Sequence, residues 1–261
     1  MKEICSKHFK NGSVYALYTE DRYPIETTDT FLPFYTKDAV GRHQNKLDDN
    51  EIGDRTERWM IGISCMSGCP VGCKFCATGQ LKKIKLLTSE EMVGQVDFVL
   101  AKNPDCDPAN AKEFKINVTR MGDGFLNIKE LRKAVNILIA RFPNIHIFIS
   151  TIGIKGSDFN WIKDNVTLQI SLHSLDENRR DELIPYGRKM SIAELGAIRT
   201  QSHLKTTVNM TLVDYADFDI ETLRRYFDPE FFFIKLSPIN VNAISEKNHM
   251  GTGVVDGINL V

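Results

Sequence analysis

Nowhere in this 261-residue chain does an apolar run approach the roughly 18 residues that a membrane span requires. The opening stretch, MKEICSKHFKNGS, lacks the apolar core of a signal peptide. Nothing marks the chain as secreted, so disulfides are not expected, and a reducing cytoplasm is the expected home with no membrane partner. Charge of one sign is not in excess. Thirty-three Lys and Arg stand against 34 Asp and Glu, a net charge of −1. No global basic field therefore advertises a nucleic-acid partner, and any such partner would be held by a local patch. There is no internal repeat and no low-complexity tract. What remains is an ordinary globular composition, 42% hydrophobic and 26% charged, on a chain long enough for one large α/β domain with a sizeable core.

Cysteine is sparse, six in all, yet three of the six fall within eight residues: Cys69, Cys73 and Cys76 in GCPVGCKFC. Three thiolates at C-x3-C-x2-C spacing can wrap one soft metal centre. They supply three ligands where a structural zinc site is closed by four, whereas a cluster with one open iron can bind something else. Gly68 and Gly72 let the backbone fold tightly around such a centre. Phe75 puts an apolar ring inside the loop. Zinc remains open at this point, with Cys65, His173 or His203 as its fourth ligand.

The rest of the chain alternates strands and helices. Apolar, β-branched runs mark strands at Met60–Ser64, Phe114–Thr119, Ile145–Ser150, Thr167–Leu172, Thr206–Leu212 and Phe232–Leu236. Between them, Thr88 with Glu91 forms a capping box ahead of an apolar face. Asn127 with Glu130 opens a second helix, Ser191 with Glu194 another, and Asp219 a further one. Repeated strand–helix units predict a parallel sheet with right-handed crossovers, a partial (β/α)6 barrel open on one side. Residues 1–57 read as a small N-terminal β extension, with hairpin character around Val14–Thr28 and a polar, mobile loop over 36–57. Residues 58–261 read as the barrel domain.

In parallel barrels chemistry gathers where the strands end. The cysteine loop follows the first strand, and Gly122-Asp123-Gly124 follows the second. Ser150 closes the third, Ser171 and His173 the fourth; Asp214 follows the fifth and Asn240 the sixth. Each has a plainer reading. Gly122 and Gly124 alone make a tight turn. Ser150 and Ser171 serve equally as caps or strand-end hydroxyls. His173 serves equally as a structural hydrogen-bonding residue, and Asn240 as a turn.

The segments that carry a resemblance are IETT around Glu26, SCMSGCPVGCKFCATGQ at 64–80, RMGDGFLN at 120–127, ISTIGI at 149–154, ISLHSLDENRRDELIP at 170–185, NMTLVDYAD at 209–217 and IKLSPIN at 234–240. On these, from about Asn11 to Asn240, the chain resembles the radical S-adenosylmethionine (SAM) superfamily, and more narrowly the RlmN/Cfr group of radical SAM RNA methylases. The resemblance implies a [4Fe-4S] cluster on Cys69, Cys73 and Cys76. SAM would chelate the fourth iron through its amino and carboxylate groups. An electron donor such as flavodoxin or ferredoxin would drive cleavage to a 5′-deoxyadenosyl radical. Gly124, Ser150, Ser171, Leu172, His173 and Asn240 fall on SAM-binding positions, with Phe75 beside them. Glu26 falls on the family's proposed proton acceptor; its plainer reading is a solvated strand glutamate.

The departures are as informative as the matches. The family motif has Glu at the position of Phe125, and Asp123, two residues earlier, is the expected substitute. The family uses a further cysteine seven residues before the first cluster cysteine, where this chain has Gly62. Its methyl-carrying cysteine lies in a C-terminal segment that these residues do not include, and its N-terminal helical RNA-binding domain is likewise absent. Cys65, four residues upstream of the triplet, is in the wrong register, and a buried structural thiol is the default for it and for Cys106. Lys82, Lys83 and Lys85, with Arg179, Arg180, Arg188 and Lys189, form two basic groups that either grip phosphates or are solvated surface charge. The expected activity is hydrogen abstraction from a nucleotide or RNA. The alternatives are an RlmN-like RNA adenine methyltransferase with a replaced carrier, or a non-catalytic zinc or iron–sulfur RNA-binding module.

Overall fold

The structure, a computed structural model, describes residues 1–34, 52–213 and 217–251, together with the short strands Val254–Val255 and Ile258–Asn259. Residues 36–51 of the polar loop, and Asp214, lie outside the described residues. The chain divides into two compact units that interleave in sequence.

The first unit comprises Met1–Ser67, Leu86–Met121 and Ile128–Phe148. Strands β1 (Lys2–Phe9), β2 (Gly12–Tyr18) and β3 (Pro24–Leu32) form an antiparallel meander, and β3 pairs antiparallel with β4 (Arg58–Ile63). From β4 the pairing turns parallel, Ile61 opposite Ile116 of β5 (Glu113–Val118). The order is β1-β2-β3-β4-β5 followed by β6 (Ile145–Thr151), whose first residues belong to this unit. Alternation places Trp59, Ile61 and Ile63 of β4, and Phe114, Ile116 and Val118 of β5, in the core. Helix α1 (Ser89–Lys102) covers them with Met92, Val96 and Val99, and packs on α2 (Ile128–Arg141), which buries Leu131, Ala134, Val135 and Leu138. Each such side chain contributes on the order of 1.5–3 kcal/mol by leaving water.

Two polar knots fix this unit. Asp29 is buried and accepts from Trp59 Nε1 at 2.8 Å, Asn103 Nδ2 at 3.0 Å and the Arg55 guanidinium at 2.5 Å. Gln95 of α1 accepts from Ser64 N and from Thr27 Oγ1, each at 2.8 Å, and donates to Ser64 O at 2.8 Å. Side-chain amide bonds thus take over at Ser64, where the β4 ladder stops.

The second unit comprises Gly68–Lys85, Gly122–Asn127 and Ile149–Val261. It holds the last residues of β6, then β7 (Val166–Ser171), β8 (Thr206–Leu212) and β9 (Phe232–Pro238), ordered β6-β7-β8-β9. Pairing is parallel, with Gln169 opposite Thr207 and Val208 opposite Ile234. Helices α3 (Glu177–Leu183), α4 (Ile192–Gly196), α5 (Ile220–Tyr226) and α6 (Ala243–Lys247) complete it. The sheet is α/β and mostly parallel beyond the N-terminal meander, and neither strand order closes into a ring.

The expected strands and the capping boxes at Thr88 and Ser191 are present, as is the Asp219 cap. Three features differ. Asn127 lies in a 3-10 turn that runs into α2, and Glu130 reaches across to Ser89 N and Oγ at 3.1 Å instead of capping its own helix. Helices α3 and α6 were not anticipated, since α3 is short and nearly all polar, and α6 is five residues long. Strand β1 was not anticipated either, because most of its residues are exposed and show no apolar alternation.

Candidate functional site

The cysteine loop, the Gly122–Asn127 turn and the ends of β6, β7, β8 and β9 all lie in the second unit. Gly68 and Gly72 adopt φ of 72° and 70°, left-handed values that turn the backbone around Cys69 and Cys73. The loop is held from behind. Lys74 N donates to Leu183 O at the end of α3, at 2.9 Å, and Asn248 Nδ2 donates to Lys74 O at 2.5 Å. Asn242, the N-cap of α6, donates its Nδ2 to Phe75 O and to Asn240 O, each at 3.0 Å. Helix α6 packs on the 3-10 turn Ala77–Gln80 that follows the last cysteine.

Cys69, Cys73 and Cys76 are half-buried free thiols. Burial pushes the Cys69 thiol up to about 11, with the charges of Asp123 and Cys76 adding to it. Cys73 is pushed further in the same direction, by burial first and then by Cys76, Cys69 and Asp123. Cys69 and Cys73 thus resist ionisation in the protein alone, and a cation bound at the loop is what would make thiolates stable. Among the described residues no three His, Cys, Asp or Glu side chains are gathered around a point as ligands of one metal ion. The donor set, all thiol and threefold, fits an iron–sulfur centre with one position left open, where a structural zinc site is closed by four ligands.

Around the loop, Phe75 meets His173 edge-on, ring centroids 4.9 Å apart at 77°. His173 has φ 65°, an uncommon value for a residue with a side chain. It is buried, and its Nδ1 accepts from Thr211 N at 3.0 Å, which leaves the ring proton on Nε2. Burial, then the positive charge of Arg180, lowers its pKa to about 4. Thr211 Oγ1 in turn meets Ser237 Oγ at 3.4 Å, linking β8 to β9.

Asp123 is buried, and burial raises its carboxyl. It accepts from Phe125 N at 2.9 Å, Thr151 Oγ1 at 2.9 Å and Ile152 N at 2.8 Å. The first bond braces the Gly122–Asn127 turn internally, and the other two pin it to the end of β6. Phe125 is buried against Phe159, centroids 4.7 Å apart, so it packs the core behind the turn. Gly124 is buried; Ser150, part-buried, bonds Gln169 Oε1 at 3.1 Å; Ser171 is part-buried; Leu172 is buried and its N–H donates to Asn209 O; Asn240 is exposed. Phe75 and His173 are in direct contact, and Asn240 joins them through Asn242.

Glu26 and Gly62 lie in the first unit. The Glu26 carboxylate is paired with the Arg120 guanidinium, Nε to Oε1 at 2.7 Å. A Cβ on Gly62 would fall inside contact distance of Thr28 Oγ1 and 2.9 Å from Arg120 Cδ. Cys65 is buried, its thiol donating to Met121 O at 3.6 Å, while Cys106 is half-buried. Of the basic groups, Lys82, Lys83 and Arg188 are exposed. Arg179 pairs with Asp217 and Glu182, Lys189 pairs with Asp181, and Arg180 is wholly internal. Arg180, read from the sequence as part of a phosphate-gripping or solvated basic group, is instead internal, and Asn242 was passed over. The signal for Asn242 was its box with Ser245; Arg180 was hidden in a polar run.

No protein-family model matches the chain. It is 27% identical over 232 residues to a probable dual-specificity RNA methyltransferase RlmN of Chlorobium phaeobacteroides (strain BS1), covering 84% of this chain and 64% of that protein. It is 32% identical over 208 residues to the probable RlmN of Koribacter versatilis (strain Ellin345), 77% of this chain and 57% of that one. The chain thus spans about three-fifths of the length of these relatives. Among solved structures, a radical SAM methyltransferase from Sphaerobacter thermophilus superposes with a TM-score of 0.66 at 24% identity, over 92% of this chain and 67% of that one; at that identity the likeness speaks for the fold. By sequence over most of its length, the chain is a relative of the RlmN group of radical SAM RNA methyltransferases.

Proposed function

We propose that the chain is a radical SAM enzyme acting on an RNA or nucleotide substrate. The observation that carries this reading is the half-buried C-x3-C-x2-C loop, whose three free thiols lie on a segment that meets the end of a parallel strand through Phe75 and His173. Cys69, Cys73 and Cys76 would hold a [4Fe-4S] cluster, which supplies an electron for reductive cleavage of SAM. The chain's own residues then bind and orient. Phe75 and the neutral His173 ring form an apolar wall that keeps water from the cluster loop. Ser150, Ser171 and Asn240 offer hydroxyl and amide groups to the polar parts of SAM. Gly124 keeps the turn free of a side chain. Asp123 holds that turn to the end of β6 through two hydrogen bonds and braces it internally with a third, a positioning role that leaves little carboxylate for SAM's amino group. Exposed Lys82, Lys83 and Arg188 are the candidates for phosphate contact.

Methyl transfer by the family's two-cysteine route is not part of the proposal, because Gly62 stands in the place of one cysteine and Thr28 and Arg120 fill the space its side chain would need. The test is anaerobic incubation of the reconstituted protein with SAM and a low-potential reductant. The expected product is 5′-deoxyadenosine, lost in Cys73→Ala. Ser150→Ala and Asn240→Ala should each weaken SAM binding about tenfold, the equivalent of one hydrogen bond to a charged group. Absence of 5′-deoxyadenosine from a cluster-loaded protein would contradict the reading.

A further inference from the structure

Arg180 is the largest fully buried charged side chain among the described residues of the second unit, and the cluster alone does not explain it. Its side chain is 0% exposed. One terminal nitrogen donates to Met190 O and the other to Ile152 O at 2.7 Å. Its Nε–H, also buried, has no hydrogen-bond partner among the described residues. Among the described residues its acidic neighbours are engaged elsewhere: Glu177, 4.0 Å away and about half exposed, accepts from Ile192 N, and Asp181 pairs with Lys189. A buried guanidinium with an orphan N–H and no close counter-ion is costly, and such groups persist where an anion completes them.

The surroundings indicate which anion. Arg180 lies on α3, whose last carbonyl, Leu183 O, holds Lys74 N, the amide directly after Cys73. Cys73 and His173 both lie within electrostatic reach of the guanidinium. The two carbonyl bonds lock the planar group in one orientation, which a flexible lysine ammonium would not reproduce. The cluster and its thiolates are the anion that this loop would carry.

We propose that Arg180 is a positioning residue of the cluster: its orphan Nε–H donates to a sulfur on the Cys73 side, and its fixed positive charge favours the reduced form. This rests on the cluster reading above and goes beyond it by assigning the residue that sets the potential. Hydrogen bonds to sulfur and local charge are the levers by which a protein tunes such a centre.

The experiment uses the full chain, reconstituted anaerobically with iron and sulfide. Protein labelled with 15N-arginine is reduced and examined by pulsed electron paramagnetic resonance. One 15N coupling to the reduced cluster is expected, absent from Arg180→Lys. In redox titrations, Arg180→Gln should change the ratio of reduced to oxidised cluster at fixed potential at least tenfold, about 59 mV toward more negative values. Arg224→Gln, an exposed charge on α5, should not. A folded, cluster-bearing Arg180→Gln with an unchanged potential overturns the proposal. If that variant does not fold, a reduced wild-type cluster without 15N coupling overturns it. Either result leaves the cluster reading standing. Failure of the wild-type chain to take up iron and sulfide overturns both.

Discussion

At the scale of single residues, His173 shows how position sets chemistry. Its left-handed φ and its burial turn the ring onto Phe75, and the Thr211 amide fixes the tautomer. With the folded pKa lowered to about 4 and the unfolded value at 6.5, the unfolded chain takes up the proton first as pH falls. The stabilisation is complete above pH 6.5 and is lost as pH drops from 6.5 toward 4. Nitrogen-detected NMR at pH 5.5 should show a neutral His173 with its proton on Nε2. A charged ring at that pH would contradict the placement. Gly62 makes a steric argument of the same kind. Introducing cysteine there sets its Cβ against Thr28 Oγ1 and Arg120 Cδ. Gly62→Cys should therefore lower stability by about 1–3 kcal/mol in chemical denaturation, and reducing Thr28 and Arg120 to smaller side chains alongside it should recover part of that loss.

At the scale of elements, side chains that bridge between them are the most informative. Asp29 ties β3 to Trp59 of β4, to Arg55 and to Asn103 at the end of α1. Asp29→Ala leaves the buried indole N–H without its partner. A loss of about 2–4 kcal/mol is expected in urea unfolding, against little change for an exposed carboxylate such as Glu221. Glu130 joins α2 to the first turn of α1. Its bond to Lys133, then those to Ser89, lower its pKa from 4.5 to about 2. Its contribution is complete above pH 4.5 and is lost as pH falls toward 2, and Glu130→Gln should flatten the acid limb of the stability profile over that window.

Elements with a strong local signal were legible in the sequence: the β-branched strands, and the caps at Thr88, Ser191 and Asp219. What was illegible depended on partners distant in sequence. Glu130 looked like a capping residue of its own helix, and only the packing of α1 on α2 gives it Ser89. Strand β1 has no apolar face to announce it and is defined by its ladder with β2.

At the scale of the whole molecule, the cysteine triplet, Phe75 and the strand-end residues of the candidate site could be read from spacing and order, because parallel strands carry their functional groups where they end. The support of that site could not. The anchors Leu183 O, Asn242 and Asn248, and the internal Arg180, come from segments about 100 to 175 residues away along the chain, and a polar run such as NRRDEL gives no sign that one of its arginines is buried. The central claim is that Cys69, Cys73 and Cys76 hold an iron–sulfur cluster. It is tested most directly by iron and acid-labile sulfide analysis, with Mössbauer spectra, of anaerobically reconstituted wild-type and Cys73→Ala protein. About four irons and four sulfides per chain are predicted for the wild type, with most of both lost in the variant. A wild-type chain that binds zinc and no sulfide, or a Cys73→Ala protein that retains the full cluster, would contradict it.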